Sequence, residues 1–232
     1  MSGHSKWSQI KHKKAASDAK RGVLFGKFSR AISIAARDNP DTETNQRLQD
    51  IIQRARAANM PNDNIERAVR KGSHKDAAIL SEIRIELHGP GDVAILVHAI
   101  TDNRNRTIME IRKLASSYGG RIVAQGAVSW MFDRMIFFRV RIAADVEAQQ
   151  LAAIDAGAED VRQERGALFL LVSPEASEGV RVAMGEAVME SDVCWVARSR
   201  QAVPEEAVGA FQSLVEVLEE HADVQEVATS AL

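Results

Sequence analysis

The spacing of apolar residues divides the chain into a helical part and a part in which strands and helices alternate. From residue 8 to residue 37, small and apolar positions recur every three to four residues, which predicts one long or kinked helix. A second helix follows Asn45, and a third starts near Asn62 and reaches Gly72, which is placed for a C-terminal cap. The first 75 residues are therefore predicted to form an all-helical domain.

The period changes after Lys75. Apolar residues alternate with charged ones from Ile83 to Leu87, which predicts a strand with one buried face and places Glu86 on the polar face. The apolar run Val93–Ile100 predicts a central strand, paired with the first as a hairpin. A helix is expected next, and residues 122–131 return to a strand-like composition.

From Met135 onward the pattern predicts the order βαββαβ, which is the ferredoxin-like arrangement. The block before it has only ββαβ and needs one more helix and one more strand. The tail supplies both, because residues 204–221 are amphipathic at helical spacing and residues 224–227 can form a short strand.

The predicted fold is therefore α+β, with an N-terminal all-helical domain followed by two α/β domains, one inserted in the other. The expected boundaries are residues 1–75 for the basic helical domain, residues 76–133 plus 203–232 for a discontinuous middle domain, and residues 134–202 for the inserted ferredoxin-like domain.

Charge is divided unevenly along the chain. Residues 1–75 hold 16 Lys and Arg against 7 Asp and Glu, a net charge of +9, while the remaining residues hold 14 against 25, a net charge of −11. Such asymmetry indicates a nucleic-acid or other anionic partner for the basic part. The overall charge of −2 conceals it.

Composition argues against several other classes of protein. No apolar run approaches the length of a transmembrane helix, and no secretory signal follows the first charges, so no membrane partner is expected. The single cysteine, Cys194, forms no internal disulfide and fits a cytoplasmic location. Neither a P-loop nor a G-x-G-x-x-G motif occurs, and the histidines have no ligand spacing. We therefore expect no cofactor, no metal and no small-molecule substrate.

The N-terminal segment combines cations with two histidines and one aromatic residue. Lysines and arginines neutralise phosphates, and an aromatic ring among them can stack on an unpaired base. The alternative is a solvated helix face, which we consider less favoured because few acids lie at i,i+4 positions to pair with these cations. The predicted nucleic-acid contacts in this part of the chain are His4, Lys6, Trp7, Lys11, His12, Lys13, Lys14, Lys20, Arg21 and Lys27.

Two further candidates, Arg104 and Arg106, stand at the start of the middle-domain helix. Thr101 or Asp102 is the expected N-cap of this helix. Positive side chains in a first helical turn oppose the helix dipole, which favours anions there. These arginines therefore either form ion pairs across a domain interface or bind a phosphate, and the sequence leaves both alternatives open.

His4 and His12, with lysines near them, could also act as acid and base in phosphodiester cleavage. A ribonuclease needs in addition a pocket that orients the scissile phosphate, and a basic arm offers none. We therefore predict no catalytic residues and keep a phosphodiesterase only as a remote alternative.

Several long motifs together make the chain recognisable: GHSKWSQIKHKKAASDAKRG (3–22), AANMPNDNIERAVRKG (57–72), TDNRNRT (101–107), GAVSWMFDR (126–134) and AGAEDV (156–161). In these motifs the chain resembles the YebC/PmpR family, which includes the mitochondrial translational activator of cytochrome c oxidase. The resemblance implies three domains and a role in gene expression without catalysis. Bacterial members are generally labelled DNA-binding transcriptional regulators, while mitochondrial relatives act in translation.

The leading interpretation is a non-enzymatic, nucleic-acid-binding regulator of gene expression that holds the phosphate backbone with its basic N-terminal domain. The alternative is a translation factor that binds ribosomal RNA or tRNA, with the ribosome as a further partner. A lysine-rich arm with one tryptophan suits irregular or single-stranded RNA at least as well as duplex DNA.

Backbone binding predicts a strong dependence of affinity on salt. Neutralising about six phosphates gives a slope near −5 for log K against log salt on duplex DNA, and a shallower slope on single strands. Titrations of labelled DNA and RNA at several salt concentrations measure this slope. An affinity that does not change with salt contradicts backbone binding.

Overall fold

The computed structural model describes residues 18–73, 80–164 and 166–232, with side chains from Arg21 onward. Three helices come first, α1 (Asp18–Asp38), α2 (Gln46–Ala57) and α3 (Asn62–Ser73). The remaining elements follow in the order β1 (Ser81–His88), β2 (Ala94–Thr101), α4 (Arg104–Ser117), β3 (Arg121–Ile122), β4 (Phe132–Arg141), α5 (Val146–Asp155), β5 (Ala158–Glu164), β6 (Ala167–Val172), α6 (Ser177–Met184), β7 (Val188–Ala197), α7 (Val208–Glu220) and β8 (Val224–Thr229).

The described part of the predicted first helix is helical, and the turn after it is organised by Asn45. The Asn45 side chain accepts a hydrogen bond from the backbone N–H of Leu48 at 3.0 Å, which makes it the N-cap of α2. Its amide nitrogen donates to the carbonyl of Ala35, in the last turn of α1, at 2.9 Å. One side chain thus satisfies a backbone group at the end of one helix and at the start of the next.

Helices α1 and α3 pack so closely that one position requires glycine. Gly72 is buried within α3, and a Cβ atom built on it would lie 2.2 Å from the carbonyl oxygen of Ser33 in α1. The expectation that Gly72 caps α3 is therefore wrong, since its role is to let two helix backbones approach. Beside it, the Ser33 hydroxyl donates to the carbonyl of Ala68 at 2.8 Å.

The first sheet has the strand order β3-β1-β2-β8, with β8 antiparallel to β2. Alternate residues of β1 and β2, among them Ile85, Leu87, Ile95 and Val97, form a core with α4 and α7. The tail helix and tail strand that the sequence predicts are thus both present, and β8 completes the sheet beside β2.

The opposite face of the first sheet differs from the prediction. Glu86 is 5% exposed, and its carboxylate accepts hydrogen bonds from the backbone N–H groups of Gly126, Val128 and Ser129 at 2.7–2.9 Å. The expectation that Glu86 is a solvent-facing residue is wrong. Residues 122–131 are not a strand beyond Ile122, because the N–H groups of Gly126, Val128 and Ser129 donate to this carboxylate and not to a neighbouring strand.

Helices α1, α2 and α3 form a layer, called the helical layer below. This layer lies on the same face of β1 as the loop that Glu86 binds. Ile100 of β2 packs into the core of the three helices, and Arg37 donates to the carbonyl of Leu80 at 2.9 Å. Arg47 of α2 pairs with Glu82, which also faces His98. The interaction with His98, 3.6 Å away, and the ion pair with Arg47 outweigh burial and lower the pKa of Glu82 to about 2.

The second sheet has the strand order β5-β6-β4-β7 and is built from the connectivity βαββαβ. Strand β6 lies in the middle and pairs antiparallel with both β4 and β5. Phe138, Leu168 and Leu170 are fully buried beneath α5 and α6. This order is that of a ferredoxin-like sheet. The predicted fold class, helices followed by two α/β parts, is confirmed.

The described chain forms two compact units. One contains the residues up to Asp133 together with Val196–Leu232, and the other contains Arg134–Trp195. The finer division into three domains, with boundaries at residues 75, 133 and 202, stays a prediction. Among the helices described, none is both long and apolar enough to cross a membrane.

The contact at Gly72 predicts a difference between two glycine substitutions in the helical layer. Gly72→Ala is expected to lower the free energy of unfolding by about 1–3 kcal/mol, because the new methyl group overlaps the backbone of Ser33. Gly22→Ala is the matched control. No atom lies within 4 Å of its added Cβ, so greater helix propensity is expected to raise stability by about 0.5–1 kcal/mol. Urea denaturation of both variants measures the difference, and equal effects would contradict the close approach.

Candidate nucleic-acid interface

A groove of about 220 Å³ runs between α1 and α3 and is lined by hydrogen-bond donors. Its polar residues are Ser29 and Arg30 on α1 and Asn64, Arg67 and Lys71 on α3. Its floor consists of Ser33, Ala68 and Leu80. Neither an acidic side chain nor a histidine is among the residues that line it. Such a lining favours an anion.

Helical spacing explains why α3 presents its groove residues together. Asn64, Arg67 and Lys71 lie at positions i, i+3 and i+7 and so share one face of the helix. Ile65 and Ala68 are buried, which fixes the rotation of α3 against the rest of the helical core. The close approach at Gly72 holds α3 against α1 at this groove.

Arg67 and Lys71 are exposed, and their side chains form no ion pair or hydrogen bond with any other residue that the structure describes. Cations on one helix face without acid partners do not stabilise the helix, and they are available to bind an external anion. Guanidinium groups bind phosphate oxygens in pairs, and an ammonium group binds them as a point charge. The groove can therefore contact the phosphates of an extended backbone, but its volume is below that of pockets that enclose drug-sized ligands.

Arg30, on the α1 side of the groove, is held by the turn before β8. Its guanidinium donates to the carbonyl of Ala222 at 3.1 Å and lies 3.2 Å from a carboxylate oxygen of Asp223. The other oxygen of Asp223 accepts from Arg106 at 2.8 Å and from the hydroxyl of Thr107 at 2.7 Å. Asp223 is 2% exposed and therefore bridges α1 and the first turn of α4 in the interior.

The Asp223 carboxylate is ionised in this setting. Burial opposes its ionisation, but the hydrogen bonds from Thr107 and Arg106 and the charge of Arg30 together hold its pKa below the usual value. Arg106 donates this hydrogen bond to Asp223, which raises the pKa of Arg106. Arg106 also lies 3.0 Å from Asp102 and 3.9 Å from Glu110. Of the two alternatives that the sequence left open, ion pairing describes Arg106.

Glu110, His221 and Asp223 bring potential metal ligands within 4.8 Å of one another. Each of these groups already has a partner, however. His221 accepts from the backbone N–H of Asp223 at Nδ1, which leaves Nε2 to donate to Glu110 at 3.0 Å. The Asp223 carboxylate already pairs with the guanidinium groups of Arg30 and Arg106 and accepts a hydrogen bond from the hydroxyl group of Thr107. Two adjacent guanidinium groups are unfavourable for a bound cation, so the geometry supports hydrogen bonding and not metal coordination.

The N-cap of α4 also differs from the prediction. Asn103 is the N-cap, since its side chain accepts from the backbone N–H of Arg106 at 3.1 Å. The expectation that Thr101 or Asp102 fills this role is wrong, because the buried Thr101 hydroxyl accepts from the Asn103 N–H and Asp102 turns to Arg106. Asparagine caps a helix as effectively as aspartate.

The remaining predicted contacts are distributed as follows. Arg104 is exposed and has no partner among the described residues, whereas Lys27 donates to the carbonyl of Glu219 at the C-terminal end of α7. Arg21 is exposed on α1. The predicted contacts that lie outside the described residues are His4, Lys6, Trp7, Lys11, His12, Lys13, Lys14 and the side chain of Lys20.

Arg67 and Lys71 line the groove but were not among the individual contacts predicted from the sequence. The i,i+4 spacing of Arg67 and Lys71 was a visible signal for one basic helix face. What the spacing does not give is the position of α1 opposite that face, and the groove requires both helices.

Comparisons with known proteins agree with this architecture. Residues 5–75 match the family model described as the TACO1/YebC protein N-terminal domain, and residues 80–231 match the model of the TACO1/YebC second and third domain. The matches together span nearly the whole chain. The protein belongs to the TACO1/YebC family.

The similarity to curated relatives extends over nearly the full length of both chains. The chain is 42% identical over 237 residues to a probable transcriptional regulatory protein of Lacticaseibacillus casei (strain BL23), covering 99% of this chain and 98% of the relative. It is 41% identical over 238 residues to a protein of the same description from Desulforamulus reducens, with the same coverage. The crystal structure of a conserved hypothetical protein from Aquifex aeolicus matches with a TM-score of 0.84 and 38% identity, covering 98% of this chain and 97% of that one.

The Asp223 network predicts a stability loss that depends on pH. Asp223→Asn is expected to lower the free energy of unfolding by about 2 kcal/mol at pH 7, because charge-assisted hydrogen bonds to two arginines are lost. Since the native pKa is lowered, this contribution is present above the ordinary Asp value of 3.8 and is lost as the pH falls from there through the native pKa.

Urea denaturation between pH 7 and pH 3 measures this effect. The stability difference between the wild type and the Asp223→Asn variant is expected to begin to shrink below about pH 3.8. The control is Asp102→Asn, which removes an exposed partner of the same arginine and is expected to change stability by less than about 0.5 kcal/mol. Equal effects of the two substitutions would show that Asp223 has no special structural role.

Proposed function

We propose that this member of the TACO1/YebC family is a non-enzymatic regulator of gene expression that binds the phosphate backbone of a nucleic acid. The observation that carries the proposal is the groove between α1 and α3, where Arg67 and Lys71 lack acid partners among the described residues. The N-terminal segment, with its excess of lysines, extends the same positive charge along the chain. Phosphates are the anions that such a surface attracts most strongly.

The family supports the regulatory part of this proposal. Its curated relatives are named probable transcriptional regulatory proteins, and their similarity to this chain covers both the helical part and the two sheets. A nucleic-acid partner follows naturally from such a role. The groove adds a specific place where the backbone can bind.

The shape of the groove favours a single strand or an irregular RNA over a duplex. The groove, at about 220 Å³, has room for a phosphate of an isolated strand against Arg67 and Lys71. To recognise bases in a duplex, α3 would have to enter a major groove with its polar face toward the bases. Here Asn64, Arg67 and Lys71 on that face line the groove beside α1 instead. This observation favours the second candidate function, a translation factor that binds ribosomal RNA or tRNA.

Catalysis receives no support from the groove. The residues that line it include no carboxylate or imidazole that could act as a general base. The remaining candidates for a phosphodiesterase are His4 and His12. If replacing both by alanine leaves cellular function intact, an enzymatic role for them is excluded.

Replacing the two groove cations tests the proposed function. The double variant Arg67→Gln, Lys71→Gln is expected to reduce the slope of log K against log salt by about 1.4 on single strands and about 1.8 on duplex DNA, as two phosphate contacts are lost. The matched control is Arg56→Gln, Arg70→Gln, which removes the same charge from exposed positions that do not line the groove. Its slope is expected to remain near that of the wild type.

Fluorescence anisotropy with labelled RNA and DNA measures both slopes. If the groove variant and the control variant lose the same affinity, net charge and not the groove governs binding. Crosslinking in cells, followed by sequencing of the bound DNA and RNA, separates the two candidate functions. Promoter fragments without ribosomal RNA or tRNA would contradict the translational one.

A further inference from the structure

Trp130 is an exposed tryptophan that lies outside the groove. It lies in the loop between β3 and β4 and is 65% exposed, although a tryptophan side chain gains more from burial than almost any other. Its loop is not loose. Glu86 accepts from three backbone N–H groups there, and the Ala127 and Met131 N–H groups donate to carbonyls within the same loop.

The indole of Trp130 is fixed by its own loop. Its N–H donates to the carbonyl of Ala127 at 3.0 Å, so the one polar group of the ring already has a partner. What remains for a ligand is the flat apolar face of the ring. Such a group recognises a planar partner by stacking and does not distinguish it by hydrogen bonds.

The surroundings of Trp130 argue for a small planar group and against a protein surface. Protein interfaces place their aromatic anchors within a larger apolar core. The exposed residues of the loop before Trp130 are Ala124, Gln125, Gly126 and Ala127, and Gly126 has no atom within 4 Å of the position of a Cβ. Among the described residues, the other large exposed apolar side chains lie on helices or at the chain end.

The loop and the groove lie on the same side of the first sheet. Glu82 and Glu86 are four residues apart on β1, and their side chains therefore point to the same face, about 13 Å apart. Glu82 binds Arg47 of the helical layer, and Glu86 binds the loop that carries Trp130. Leu80, which lines the groove, is about 20 Å along the chain from Glu86.

We infer that Trp130 stacks on an unpaired nucleobase of the same nucleic acid whose backbone binds the groove. This inference rests on the proposed function and adds a base contact to it. The groove supplies affinity that depends on salt, and the tryptophan supplies affinity that does not, since stacking releases no counterions.

The experiment measures binding of the full-length protein to fluorescein-labelled 12-nucleotide single strands of RNA and DNA over a range of salt concentrations. Trp130→Ala is expected to raise Kd at least about fivefold at every salt concentration, without changing the slope. Trp130→Phe keeps a ring but loses the hydrogen bond to Ala127, so binding close to that of the wild type indicates stacking and not loop structure. Leu232→Ala, which removes an apolar side chain of similar exposure (68%), serves as the control.

A second arm uses the same oligonucleotides with abasic sites. The wild type is expected to bind them more weakly than it binds the intact strands, and Trp130→Ala is expected to lose less affinity on this change than the wild type does. If Trp130→Ala binds intact strands as well as the wild type does, or if Trp130→Phe is as weak as Trp130→Ala, the stacking inference is wrong while the proposed function stands. If the wild type binds no nucleic acid, both are wrong.

Discussion

The carboxylate of Asp223 holds together three parts of the chain that are far apart in sequence. Arg30 reaches it from α1, Arg106 and Thr107 reach it from the first turn of α4, and its own backbone carbonyl accepts from Ile100 of β2. A buried charge is tolerated only when it is paired and hydrogen-bonded, so none of these groups can move away independently. This ionised group therefore helps to hold the helical layer, and with it the α1 wall of the groove, on the first sheet.

This constraint changes the meaning of the positive charge in the helical part of the chain. Some of its cations pair with a carboxylate or donate to backbone carbonyls, and these are Lys27, Arg30, Arg37 and Arg47. Net charge counts them equally with Arg67 and Lys71, which have no partner among the described residues. A basic domain therefore contains two kinds of cation. Only those without an internal partner are free to release counterions from a nucleic acid.

Local rules predicted much of the fold, and distant contacts explain where they failed. The Asn45 cap and the apolar alternation from Ile83 to Leu87 depend on neighbours in sequence, and both were predictable. The burial of Glu86 depends on donors about 40 residues away, and the pairing of Arg106 depends on an acid 117 residues away. No periodicity contains such information. The groove falls between these cases, because one of its walls is a regular helix face and the other comes from tertiary packing.

The second unit leaves and rejoins the first through β4 and β7, which are neighbours in one sheet. Where the chain departs and returns, the backbone N–H of Arg198 donates to the carbonyl of Met131 at 2.8 Å, and the Arg198 side chain pairs with Asp133. The residues at which the chain leaves and re-enters the first unit are thus side by side. Evolution could enlarge, replace or delete the segment between them as a module, and the first sheet would keep its strand order.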